Sequence, residues 1–120
     1  MIDLPPTAAL PEQVAISALT LAELAAGTHA TKEADERARR QDRLQRVEAT
    51  FEVLPFESAA ARAYGRIVAA VGADGRKARG RRAVDLLIAA TAAAEGLPLY
   101  TRNVADFAGI EGIVEVIEVR

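Results

Sequence analysis

Ala83-Val84-Asp85-Leu86-Leu87-Ile88-Ala89-Ala90-Thr91-Ala92-Ala93-Ala94 is apolar on every face of a helix except for one charge. That pattern belongs to a helix buried all round. Asp85 shares its helical face with Ile88, Ala89 and Ala92, and none of these side chains can hydrogen-bond a carboxylate. An ionised carboxylate left alone there is costly, or shifts its pKa and neutralises. Asp85 therefore needs a partner from elsewhere in the chain, and a metal ion is one such partner. The alternative places Asp85 in the first helical turn, where the dipole and free N–H groups favour an acid.

The rest of the chain supplies the layers around such a helix. Its 120 residues are 51% hydrophobic but only 4% aromatic, so the core is built of Ala, Leu, Val and Ile. That mix suits helices covering a sheet, in a single domain over residues 1–120. The absence of cysteine excludes disulfides, thiolate catalysis and cysteine-bound zinc. His29 is the one histidine, and no nucleophile motif accompanies it, which argues against a Ser-His-acid triad. The start of the chain carries Asp3 and prolines instead of a basic, then apolar, secretory signal, and no stretch is long enough to span a bilayer. These features predict a cytoplasmic protein with no membrane partner.

Helices and short apolar strands alternate along the sequence. Met1–Gln13, with Pro5, Pro6 and Pro11, reads as irregular. Val14–Ser17 is a strand candidate, followed by a helix over Leu21–Ala26 that Thr20 caps and Gly27 stops. Ala30–Thr50 reads as a solvated outer helix. Glu33/Arg37, Asp35/Arg39, Glu36/Arg40 and Asp42/Arg46 are spaced for ion pairs, with a narrow stripe of Ala34, Ala38, Leu44 and Val47. Phe51–Phe56 is a second strand candidate. The next helix, capped by Ser58, carries Ala60, Tyr64, Ile67, Val68 and Val71 on one face. The Asp85 helix closes at Gly96, and Leu97–Thr101 and Ile113–Val119 are further strands. This order predicts an α/β fold with a mainly parallel sheet.

Three places hold acids in positions that suggest chemistry. Glu23 stands three residues after Thr20, and spacing alone slightly favours a capping box in which it bonds back to Thr20. Asp85 is the second. The third is the turn Thr101-Arg102-Asn103-Val104-Ala105-Asp106-Phe107, whose Asn and Asp also suit an ordinary turn and helix cap. Sites in open α/β sheets form at the carboxyl ends of strands; Glu23 follows the Val14–Ser17 strand, Asp106 follows the Leu97–Thr101 strand, and Asp85 starts the helix that leads into the latter. Clustered carboxylates repel one another unless a cation holds them. Oxygen-only ligation points to Mg²⁺ or Mn²⁺, ions suited to phosphodiester hydrolysis.

The segments Ile16–Gly27, Val84–Ala92 and Gly96–Phe107 together resemble the second, third and fourth motifs of PIN-domain ribonucleases, most closely the VapC toxins of bacterial VapBC toxin–antitoxin pairs. The resemblance runs from about Val14 to the C-terminus. It implies a compact PIN-like fold with a central parallel sheet flanked by helices, and a Mg²⁺- or Mn²⁺-dependent endoribonuclease site. Glu23 matches the second family acid and Asp85 the third; the fourth falls within Asn103 to Asp106. Thr101 matches the polar residue that hydrogen-bonds within the acidic cluster. The resemblance also implies a homodimer, an RNA substrate and inhibition by a VapB-like antitoxin. The expected site is Glu23, Asp85 and Asp106, with Asn103 lending an amide oxygen to the metal.

One departure stands out. The family's first acid lies in an Asp-Thr-Ser or Asp-Thr-Asn motif ending an N-terminal strand, and this sequence has no such motif. The chain thus reads as beginning after that strand, which keeps two other readings open: an impaired PIN-like domain that acts by binding antitoxin, and a PIN nuclease outside toxin–antitoxin systems. Gly75–Arg82 carries five cations directly before Asp85. Arg79, Arg81 and Arg82 are expected to contact RNA phosphates; the alternative is a solvated loop that merely offsets the acids.

Overall fold

The structure, a computed structural model, describes Met1, residues 15–73 and residues 80–119. Strand β1 (Ala15–Ser17) leads directly into helix α1 (Ala18–Thr28). The helix starts earlier than the sequence suggests, because Ser17 is its N-cap. The Ser17 Oγ accepts the Thr20 backbone N–H at 3.0 Å and lies 3.0 Å from the Thr20 hydroxyl. The expected capping box between Thr20 and Glu23 is therefore not formed, since Ser17 already satisfies that N–H. Gly27 does not stop the helix either; it runs one residue further and closes where the His29 N–H meets the Ala26 carbonyl at 3.1 Å.

Helix α2 (Ala34–Thr50) is the solvated outer helix expected. Its apolar stripe is narrower still: Val47 is buried and Leu44 half-buried, while Ala34 and Ala38 are exposed. The Glu36–Arg40 pair at 3.1 Å and the Asp42–Arg46 pair at 3.2 Å form as spaced. Arg39 pairs with Glu36 at 2.8 Å, and Arg37 donates to the Thr31 carbonyl at 2.8 Å. The hydrogen bonds from Arg39 and then Arg40 lower the Glu36 pKa below the ordinary carboxylate value.

Strand β2 (Glu52–Leu54) pairs in parallel with β1, Ile16 opposite Val53. Helix α3 (Ser58–Ala73) follows and buries Ala60, Ala63, Ile67 and Val71; Val68, expected on this face, is exposed. Helix α4 (Arg81–Ala94) packs chiefly on α3 and also touches α1, β1 and the turn after β3. As its sequence requires, it is buried on most sides, through Asp85, Leu86, Ile88, Ala89, Ala90, Thr91 and Ala92. It begins at Gly80 (φ +55°), a backbone that L side chains rarely adopt. It ends in a Schellman motif: Gly96 (φ +65°) donates to Ala93 at 3.1 Å and Leu97 to Ala92 at 3.0 Å.

The chain then enters strand β3 (Leu99–Thr101), a short 3₁₀ helix (Val104–Phe107) and strand β4 (Val116–Glu118). Strands β3 and β4 are parallel, Leu99 opposite Val116. Both pairings bear out the parallel sheet, although each strand is shorter than its apolar run suggests. The opposite edge of β3 is used by Met1. Its amino group donates to the Pro98 carbonyl at 2.8 Å, and the Tyr100 N–H donates back to the Met1 carbonyl at 2.8 Å. That exchange is the bond pattern of a parallel pair centred on Leu99. Met1 is buried in the main core, and burial lowers the pKa of its amino group. Asp3, Val14 and the remaining residues before β1 lie outside the described residues, as does residues 74–79 of the basic segment.

Leu86→Ala, in the centre of this packing, should lower unfolding stability by about 2–5 kcal/mol in urea titration. Gly96→Ala should lower it by roughly 1–2 kcal/mol, because the left-handed turn closing α4 penalises a Cβ. Glu36 gives a pH test. Its depressed pKa means that its contribution is present above the ordinary carboxylate pKa and lost as pH falls through the folded value. Glu36→Gln should therefore lower the urea midpoint slightly at neutral pH and leave it unchanged at pH about 2, where the unsubstituted carboxyl is protonated.

Candidate active site

Helices α1 and α4 bring two of the three predicted acids together. Glu23 projects from α1, its carboxylate not engaged in capping, and is half-buried. Asp85 lies one turn beyond the start of α4, and its side chain is only 9% exposed. Between them stands Arg81. Its Nη1 pairs with the Glu23 Oε2, and its Nε lies 3.2 Å from the Asp85 Oδ1. One guanidinium thus serves two carboxylates from different helices, with 55% of its own side chain exposed.

Asp85 is the fifth residue of α4, beyond the first turn, so the explanation by helix dipole alone does not hold. Nor is its partner remote in sequence. Arg81 precedes it by four residues, the same spacing that marks the ion pairs of α2. That signal was present in the sequence, but it counts only if Arg81 is helical, and the glycine-bounded basic run reads as a loop. The helix starts at Gly80, and this places Arg81 and Arg82 on α4. Arg82 turns inward: its Nε and Nη2 are buried with no hydrogen-bond partner among the described residues. Arg79 lies outside those residues.

Thr101 ends β3 with its side chain buried, and its Oγ1 accepts the Asn103 N–H at 3.1 Å. That bond fixes the direction of the turn that follows. Asn103 is the N-cap of the 3₁₀ helix, yet its side chain makes no capping hydrogen bond and is exposed. Asp106 is exposed in the same turn, its N–H donating to the Asn103 carbonyl at 3.0 Å. Among the described residues no group of three or more His, Asp or Glu side chains is close enough to hold a metal ion, so Asp106 does not stand with Glu23 and Asp85 in one such group. His29 is exposed at the end of α1, away from any catalytic arrangement.

The Glu23–Asp85 pair fits a hard divalent cation in its donor chemistry. Its oxygens are all carboxylate, they converge from two helices, and they already share a positive group. No helix among the described residues is long and apolar enough to cross a membrane.

Comparison with known proteins identifies the family. The PIN domain family matches residues 6–111. Ribonuclease VapC5 of Mycobacterium tuberculosis is 40% identical over 114 residues, which cover 93% of this chain and 81% of the relative. Among solved structures, a chain of the VapBC-5 toxin–antitoxin system from M. tuberculosis aligns with a TM-score of 0.77 at 38% identity, covering 92% of this chain and 84% of that one. A chain of FitAcB from Neisseria gonorrhoeae aligns with a TM-score of 0.75 at 28% identity, covering 91% and 77%. The family match spans β1 to the turn after β3, and with it both helices that carry the acid pair. This chain belongs to the PIN-domain family.

Proposed function

We propose that the chain is a VapC-type endoribonuclease, the toxin of a toxin–antitoxin pair, acting as one domain over residues 1–120. The observation that carries this reading is the meeting of Glu23 and Asp85 on the one guanidinium of Arg81. The 40% identity to a ribonuclease VapC supports the choice of RNA as substrate. The VapBC complexes among the structural relatives support a VapB-like antitoxin as partner; the homodimer and the cytoplasmic location rest on the family resemblance.

Glu23 and Asp85 would hold Mg²⁺ or Mn²⁺ directly, with Asn103 and Asp106, on the turn after β3, as further proposed ligands reached through the ion's own waters. When bound, such an ion supplies an activated water and offsets charge on the phosphate. The protein's own groups do the rest. Asp85 is kept rigid by the packing of α4, so its carboxylate stays in place while substrate comes and goes. Thr101 holds the turn that carries Asn103 and Asp106. Arg81 stands between the acids, and with Arg79 and Arg82 of the same basic run it is proposed to meet RNA phosphates, contacts that contribute affinity without sequence choice.

Asp85→Asn should reduce cleavage of single-stranded RNA by about 100-fold or more, while circular dichroism and melting show a folded chain. Chelation by EDTA should abolish cleavage, and added Mn²⁺ should restore it; cleavage that persists in EDTA would refute the metal assignment. Replacing Arg79, Arg81 and Arg82 together by Ala should weaken RNA binding at low salt and flatten its dependence on log salt by roughly 2–3 in slope. An unchanged slope would remove these arginines from the RNA surface.

A further inference from the structure

We propose that Arg81 is a resident counter-ion of the acid pair, one that competes with a divalent cation for Glu23 and Asp85 and is released when the cation binds. This rests on the metal-dependent nuclease reading above and adds to it a role for a residue of this chain. The guanidinium contacts the Glu23 and Asp85 carboxylates at once, and these are the oxygens a hard cation would take. A guanidinium and a divalent ion a few ångströms apart repel strongly, so the two do not share both carboxylates. Without some cation the carboxylates, one of them nearly buried, repel each other instead. Arg81 removes that repulsion from within the chain and keeps the pair assembled.

The exposure of Arg81 permits the exchange. Asp85 is fixed in the packed helix, whereas more than half of the Arg81 side chain faces solvent on a flexible stem. It can leave without disturbing the core. Once released, its planar fork lies beside the acid pair and suits a phosphate. Linkage then works in both directions. A phosphate that draws Arg81 off the acids tightens cation binding, and the cation frees Arg81 for phosphate by the same factor. Ion and RNA phosphate therefore bind cooperatively, through one arginine.

The test is Mn²⁺ binding to the full chain, read from the electron paramagnetic resonance signal of free Mn²⁺. Arg81→Met should bind Mn²⁺ about tenfold more tightly than the unsubstituted chain, within the usual range of such couplings. Arg62→Met, which removes the same charge from the exposed face of α3, should stay within about twofold, because an exposed charge that pairs with neither carboxylate is weakened by solvent and salt. Asp85→Asn should abolish the tight binding in either background, which locates the ion at this site. Equal or weaker binding by Arg81→Met, with the Asp85 dependence intact, overturns the competition while leaving the metal-dependent nuclease in place. Absence of Mn²⁺ binding in every variant overturns both. If Arg81→Met does not fold, Arg81→Gln carries the same expectation, since it keeps a donor but removes the charge.

Discussion

The close packing of α4 against its neighbours is the constraint on which the rest of the molecule depends. The helix is rich in alanine, with Leu86 and Ile88 fully buried, and it packs on α3, which itself buries the small residues Ala60 and Ala63. Small side chains let backbones approach closely, so burial is achieved with little aromatic bulk. The two parallel strand pairs, the 3₁₀ turn and Met1 fill in around this helical pair. Both ends of α4 require glycine for geometric reasons, at Gly80 and Gly96, and so its length is set by backbone conformation. The position of Asp85 follows from that length.

A charge carried into such a helix is what gives the molecule a site. Asp85 faces apolar neighbours along its own helix, and its carboxylate meets Arg81 one turn earlier and, through it, Glu23 on α1. Breaking such an arrangement by removing one partner leaves charge poorly compensated, which is the usual reason buried ion pairs are sensitive to single substitutions. The same arrangement ties α1 to α4 by electrostatics where apolar contact between them is limited.

The fold was legible wherever apolar periodicity is strong. The buried α4, the solvated α2 and the parallel strand order follow from residue spacing, and the spaced motifs around Glu23, Asp85 and Thr101–Phe107 carry the family resemblance. The failures are local contests between hydrogen-bonding groups. Ser17 and Thr20 both suit an N-cap, and spacing alone cannot tell that Ser17 takes the role and leaves Glu23 available. Gly80 rather than Ala83 marks the start of α4, which hid the Arg81–Asp85 spacing inside an apparent loop. Strand ends were overextended because apolar runs such as Phe51–Phe56 continue beyond the hydrogen-bonded ladder. The position of Asp106 relative to the acid pair is a tertiary matter, decided by a turn that no pattern specifies.

The two apolar cores are very unequal, and this has a dynamic consequence. Among the described residues, one gathers α3, α4, β3 and Met1, while the other encloses Ile16 and Val47, with Leu21, Leu24 and Phe51 around them. Regions with few buried contacts open by local unfolding at a lower free energy than the rest of a domain. The α1–α2 hairpin is such a region, and it carries Glu23, whereas Asp85 belongs to the unit that opens last. Amide protons of α2 should accordingly exchange with solvent well before those of α4. On the same ground the two halves of the acid pair should part when the hairpin opens, so that the assembled site should be shorter-lived than the fold.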